Sequence, residues 1–518
     1  MNWKRGITVF LTGAILLTAL AGCGAQTADG NGSGTAAEQG AVQPEDVKAV
    51  DSFSLAYNKS DSLNPLTCTS AENKLLLQLC FESLFQLDES FEPQAELCED
   101  IEQNSAKSYT LTLRSGMKFH SGEEVTVEDV VYSLNNARQQ ENSVYQEQLA
   151  CISSVKCDDD TINIRLNRSK STKELEALLN VPIFRKGSEE EEILDGSGPY
   201  QIVSSDSGMK LIPFDAWSGG TVGFCSSIEL KSVSDNSGAA NLLSSGDLSL
   251  LIQQDAESTA VTGAKYTASV PTTRLHYLGI NCEWEPLDDP DVRTALSMLM
   301  DRSSIVHTCF TGRADAASLP VASIPEGVDA PDYSKEEALA LLEDAGIYDR
   351  DDDGYLDISS KKQFTIEIIY NAAYGAKGAV LDQYVKNLNE VGIQATVTPL
   401  EFEDCRAKLR RESFQIYYGE YEMTVDFDLS SVISRNGERN FGTYSSSQME
   451  NVLTALHTAD ETEWEDAQAD YLECFMEETP IIPIAFERSL ISSADQLPEG
   501  FAPWPYNVFH GIEGWSAS

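Results

Sequence analysis

Apolar residues fall on one helical stripe in "KEEALALLEDAG", residues 335–346, where Ala338, Leu341, Leu342 and Ala345 share a face. Ser334 with Glu337 opens this segment as a capping box, and Gly346 closes it at the left-handed cap position, so the pattern predicts a helix. The period changes to alternation in "QFTIEIIYN" (363–371), returns to helical spacing in "GAVLDQYVKNLNEVG" (378–392) and alternates again in "IQATVTPLE" (393–401). A strand, a helix and a strand in that order predict a parallel pair with a right-handed crossover. "SFQIYYGEY" (413–421) supplies a further strand. Two more capping boxes, Thr69 with Glu72 and Thr126 with Asp129, mark earlier helix starts. The expected class is α/β, without internal repeats.

The first residues follow another pattern. Lys4 and Arg5 precede an apolar run from Ile7 to Ala21, followed by Gly22 and Cys23. That run is about 15 residues, short of the roughly 20 a spanning helix needs, and the layout is that of a secretory signal peptide over residues 1–22. Leu20, Ala21, Gly22 and Cys23 resemble a bacterial lipobox, which implies cleavage before Cys23 and acylation of that residue. Several acyl chains on one residue make a stable anchor. Residues 24–46 are rich in Gly, Ala, Ser, Thr and Gln with almost no large apolar groups, so they read as a flexible tether. The expected location is the outer face of the cytoplasmic membrane, with the body held off it by residues 23–46.

Charge narrows the partners. The formal net charge is −47, and loss of Lys4 and Arg5 with the leader moves it to −49. Such a chain repels phosphate backbones, so nucleic acid is excluded as a partner. Roughly 500 mature residues exceed what one core supports, and two or three domains are expected. Ten cysteines remain beyond Cys23, none in C-x-x-C spacing, and buried free thiols are the expected state. No H-E-x-x-H, G-x-S-x-G or G-x-x-x-x-G-K-S/T signature is present. Ser207-Gly-Met-Lys210 with Ser234-Asp235-Asn236 imitates two motifs of penicillin-recognising enzymes, but "GMKLIPF" reads as extended where the nucleophile must open a helix. "DRDDDGYLD" (349–357) places Asp349, Asp351, Asp353 and Gly354 as in a calcium loop, yet position 12 is Ser360, so a solvated acidic turn is expected. The five histidines are scattered. No enzyme, cofactor or metal is expected.

One stretch is more specific. In "LTLRSGMKFHSGEEVTVEDVVYSL" (111–134), Leu111 and Leu113 alternate on a strand, Gly116 and Gly122 permit turns, and Thr126 caps a helix carrying Val130, Val131 and Leu134. This stretch resembles the signature of the peptide and nickel branch of ABC-importer solute-binding proteins. The likeness continues in chain order through "DSLNPL" (61–66), "GSGPY" (196–200), "LHYLGINCEWEPLDDPDVRTALSMLMDRSSIV" (275–306), "VGIQATVTPLE" and "MEETPIIPIAF" (476–486). It covers essentially residues 50–518.

The resemblance implies a two-lobed periplasmic-binding-protein-like fold with an extra inserted domain. Lobe I would comprise 47–70, 185–270 and 485–518, the inserted domain 71–184, and the other lobe 271–484. Ligand would sit between lobes that close by a hinge. The implied role is a monomeric, lipid-anchored receptor that captures peptides and delivers them to a membrane permease. Members of similar outline bind chelated nickel, haem, opines or oligosaccharides, and these stay open, as do a surface adhesin and a lipoprotein enzyme from other classes.

For the site, "GEYEMTVDFDLSSVISRNGERNFGTYSS" (419–446) is similar to the cleft segment in which peptide-binding members set an aspartate against the ligand's α-ammonium. Asp426 falls at the matching position and Asp428 lies two residues on. Leu429 stands where a proline is common, which leaves open which aspartate serves. Asn440 and Tyr444 match the following N-x-G-x-Y pattern. Arg435 and Arg439 are candidates to meet a ligand carboxylate, and Trp504, with Trp217 and Trp284, to wall a side-chain pocket.

Overall fold

The structure, a computed structural model, describes residues 50–517 except 51, 192, 206, 207, 255–260, 374 and 375. The expected signal peptide (1–22), Cys23, the expected tether (24–46) and Ser207 lie outside the described residues. No described helix is long and apolar enough to cross a membrane.

The strand-helix-strand expectation is met. Thr365–Asn371 and Gln394–Leu400 pair in parallel, with Ile366 beside Ala395, and the helix Lys377–Glu390 connects them. These strands belong to a seven-stranded sheet ordered Leu250–Gln253, Ile481–Ser493, Tyr266–Ile280, Ile416–Glu422, Thr365–Asn371, Gln394–Leu400, with Ala314–Ala316 paired to the second. Alternation along Tyr266–Ile280 divides its side chains between two cores. Leu278 and Ile280 join Val292, Leu342 and Tyr384 on one face; Leu275 and Tyr277 join Met449, Leu453 and Phe475 on the other. Helices therefore cover both faces, and the adjoining halves of the two central strands, Leu275 to Ile280 and Ile481 to Glu487, are buried throughout.

A second body has its own core. It combines the mixed sheet Phe53–Asn58, Ile228–Val233, Gly208–Pro213, Tyr200–Ser205 with the antiparallel sheet Cys98–Ser105, Ser108–Leu113, Thr161–Leu166, Ile152–Asp158. The chain's last segment returns to this core, where Trp515 is fully buried against Phe224. Tyr266–Ile280 and Ile481–Ser493 are long enough to take part in both bodies: Val270 and Ile491 belong to this core, Leu278 and Ile482 to the other. Their pairing shifts register between Pro271 and Leu275 and again between His276 and Tyr277.

Helix starts were partly legible. Thr126 forms the complete capping box with Asp129, and the Ser334 side chain accepts from the Glu337 amide. Gly346 is left-handed at φ +79°, as a closing glycine must be. The Thr69 cap is corrected. The helix begins at Ala71 with Ser70 at its N-cap position and no side-chain cap bond, while the Asp61 carboxylate holds the approach to it by accepting from the Thr69 and Ser70 amides. Gly208–Pro213 is a strand, so the imitation of a penicillin-recognising motif has no helix at its lysine. The ten cysteines beyond Cys23 are free; Cys157 is exposed and most others are buried.

Candidate functional site

The segment after strand Ile416–Glu422 turns sharply. The Phe427 amide donates to the Thr424 carbonyl, and Phe427 itself is left-handed at φ +53°. A bulky residue there costs about 1–2 kcal/mol and persists only where its surroundings hold it. Here the ring is wedged edge-on between Phe91, at 5.0 Å, and Phe486, at 5.6 Å. The turn directs Asp426 and Asp428, on either side of Phe427, toward one point.

That point is the ammonium of Lys170. Lys170 precedes the helix Thr172–Leu178, whose capping box joins Ser171 and Glu174. Its carbonyl accepts from the Tyr109 hydroxyl and its amide donates to the Ala106 carbonyl, which set the side chain's direction. Lys170 Nζ lies 2.6 Å from Asp426 Oδ2, 2.7 Å from Asp428 Oδ2 and 2.9 Å from Glu174 Oε1. The lysine side chain has no exposed surface. His457, on the helix Ser447–Thr458, closes the cluster with Nδ1 2.6 Å from Glu174 Oε1 and Nε2 3.0 Å from Ser430 Oγ. Half-exposed Arg168 reaches Asp428 at 3.4 Å from the rim.

Burial would neutralise each of these groups in isolation; their mutual contacts reverse that. Burial pulls the Lys170 ammonium toward its neutral form, but Asp426, Glu174 and Asp428 together push its pKa well above the usual lysine value. Burial raises the Glu174 carboxyl, and Lys170 with His457 outweighs it, bringing it down to about 2. Asp428 is held far below the usual range by the same two cations against its burial. His457 is lowered by burial and raised, on balance, by Glu174.

A small cavity of about 70 Å³ adjoins this cluster. Asp426 and Glu174 form part of its wall, while Phe91, Val425, Phe427, Leu456 and Trp464 make the rest largely apolar. Tyr471 also lines it, and its buried hydroxyl has no hydrogen-bond partner among the described residues. At the edge, Lys173 pairs with Glu92 at 3.6 Å.

The other expected site residues separate. Asn440 staples its own loop: its side chain donates to the Ser434 and Tyr444 carbonyls and accepts from the Tyr444 amide. Tyr444 is buried, with its hydroxyl donating to Glu478. Exposed Arg435 donates to Ser445 Oγ. Arg439 lies over the Tyr421 ring at 4.8 Å and 3.6 Å from Glu147. Trp504 stacks on His510 at 3.3 Å near the C-terminus. Trp217 donates to Glu82, and Trp284 is exposed. Sequence reasoning missed Lys170, Glu174 and His457. The pattern Ser171-x-x-Glu174 was a readable capping box, and Lys170 stands four residues before Glu174.

Among the described residues, three groups gather metal-type donors. Glu174, Asp428 and His457 are one, but the Lys170 ammonium already lies against both carboxylates, at 2.9 and 2.7 Å. His276, Glu420 and Glu487 are another; both ring nitrogens are taken, by Glu487 at 2.7 Å and the Tyr418 hydroxyl at 2.9 Å, and Lys377 sits on Glu420. In the third, Asp349 already accepts from the amides of Asp351, Asp353 and Gly354, as an acidic turn does.

Comparison with known proteins gives a consistent picture. The family model "Bacterial extracellular solute-binding proteins, family 5 Middle" matches residues 92–440. The chain is 24% identical over 552 aligned positions to oligopeptide-binding protein AppA of Bacillus subtilis, covering 98% of this chain and 97% of that one. It is 23% identical to glutathione-binding protein GsiB of Salmonella paratyphi A, covering 86% and 91%. Among solved structures, a nickel ABC transporter protein from Bacillus halodurans superposes with TM-score 0.71 at 19% identity, over 88% of this chain and 97% of that one. The two-lobed, multi-domain α/β fold is shared with these neighbours.

Proposed function

The chain belongs to the bacterial extracellular solute-binding proteins of family 5, which bind substrates for ABC transporters and are not enzymes, and from that premise we propose that it is a lipid-anchored receptor for peptides. It captures them in a cleft between its lobes and hands them to a membrane permease. Acylated Cys23 holds it at the outer face of the cytoplasmic membrane, residues 24–46 act as its tether, and it works as a monomer. Lobe I comprises 47–70, 185–270 and 485–518, the inserted domain 71–184, and the other lobe 271–484. Cleft walls come from the segment 419–446, with Asp426 and Asp428 at the centre, Asn440 and Tyr444 shaping the loop, and Arg435, Arg439 and Trp504 toward the margins.

The observation that carries this reading is the cavity beside Asp426. It lies where residues of the proposed inserted domain, Phe91 and Glu174, meet residues of the proposed second lobe, Phe427 and Trp464. Apolar walls with a few directed polar groups are the composition of a small-molecule site. Native mass spectrometry of the protein purified gently from a peptide-rich medium tests it. Co-purified peptides of one narrow length class are the expected result. A nickel chelate, tetrapyrrole, opine or glycan mass would keep the import role and overturn the peptide claim.

A further inference from the structure

The polar groups around the cavity decide what it can take. Asp426 Oδ2 already holds Lys170 at 2.6 Å, and Oδ1 accepts from the Thr424 hydroxyl. Glu174 is divided among Lys170, His457 and its own helix cap, and Glu92 is matched by Lys173. Each carboxylate at the wall therefore already faces a basic side chain of the protein itself. An incoming ammonium would shed its water only to compete with Lys170 for oxygens that Lys170 already holds at 2.6 to 2.9 Å, a loss on the scale that disfavours unpaired buried ions. Among the described residues that line the cavity, the buried polar group with neither a hydrogen bond nor an ion pair is the Tyr471 hydroxyl, which in an apolar setting needs an acceptor.

We propose that Lys170 permanently fills the ammonium seat formed by Asp426, Asp428 and Glu174, so that the cavity selects a ligand end that is neutral and carries a hydrogen-bond acceptor for Tyr471. Resting on the peptide reading above, this names the substrate class as peptides whose amino end is acylated or otherwise uncharged. Lys170 is then a specificity residue. It acts by occupying the position a free α-amino group would need.

Matched alanine peptides of two to six residues, each with a free and an N-acetylated amino end, test this by titration calorimetry on the full wild-type chain. The acetylated member of each pair is expected to bind at least as tightly as the free one. A tenfold or larger loss on acetylation would overturn the proposal. If neither form binds while another solute does, the peptide reading fails, and the seat is judged by Lys170→Ala with propylammonium, which replaces the deleted atoms. Saturable thermal stabilisation of the variant but not of the wild type, or folding of the variant only with propylammonium present, is expected. Equal response of both proteins, or none in a folded variant, counts against a seat filled by Lys170. Tyr471→Phe is expected to weaken the acetylated peptides by three- to tenfold while leaving propylammonium rescue unchanged.

Discussion

Lys170 and Asp428 are separated by 258 residues in the chain and by 2.7 Å in space, with neither side chain reached by more than a trace of solvent. A buried pair of this kind adds little over an apolar alternative, but breaking it from one side leaves an uncompensated charge. Lys170→Ala, which leaves the buried carboxylates of Asp426, Asp428 and Glu174 without that cation, is therefore expected to lower unfolding free energy by about 3–5 kcal/mol in urea titrations. Lys173→Ala, at the exposed Glu92 pair, should change it by about 0.5 kcal/mol or less. Similar losses for both variants would show that the buried cluster is not a structural unit.

His457 gives the cluster a pH signature. Its pKa is raised in the folded protein, so its stabilisation is complete below the ordinary value of 6.5 and fades as pH rises through the folded-state value. Glu174 runs the other way: its contribution is present above 4.5 and is lost as pH falls toward about 2. His457→Gln should therefore cost more stability at pH 6 than at pH 9, measured by denaturant unfolding at both. An equal cost at the two values would remove His457 from the charge balance.

Buried Glu82 and half-buried Glu96 are neighbouring carboxyls on the Trp217 side of the second body. Burial and the neighbouring Glu96 raise the Glu82 carboxyl; burial raises Glu96 as well, but less, because it accepts from the Ser83 amide and hydroxyl. A raised carboxyl stabilises fully below its ordinary value of 4.5, and that stability drains away as pH rises toward the folded-state value. Glu82→Gln keeps the acceptor for Trp217 without the charge. The variant should be more stable than wild type at pH 8, with the gap closing by pH 5; melting temperatures at the two values check it.

Gly279 and Tyr417 face each other across neighbouring strands, as do Tyr277 and Gly419, and the two hydroxyls meet at 3.1 Å. A Cβ at Gly279 would fall 2.1 Å from the Tyr417 ring. Gly279→Ala is expected to cost about 1–3 kcal/mol by overpacking. Adding Tyr417→Ala should recover part of that, so a double-mutant cycle gives less loss than the sum of the single changes.

The readable parts of the chain were those with local causes. The helix from Ser334 to Gly346 and the crossover between Thr365 and Leu400 needed only period, cap and glycine, all within a few residues. Thr69 failed because its amide is held by Asp61, which comes from outside the helix. At the site, Asp426 and Asp428 were legible through resemblance, whereas their partner was not. A lysine followed by Ser-Thr-Lys-Glu reads as a solvated face until the fold brings carboxylates from the far end of the chain. Nor does a phenylalanine between two aspartates announce a left-handed turn; the rings of Phe91 and Phe486 impose it from other elements.

The two long strands Tyr266–Ile280 and Ile481–Ser493 act mechanically as a leaf spring. Hydrogen-bonded to each other along most of their length, they resist stretching and sliding, because either would break many bonds at once. Bending and twisting cost far less, and least where the register slips between Pro271 and Tyr277. In the proposed lobe closure, movement that keeps this ladder intact would be confined to flexing near that irregular stretch, so that the same residues would return to the same partners.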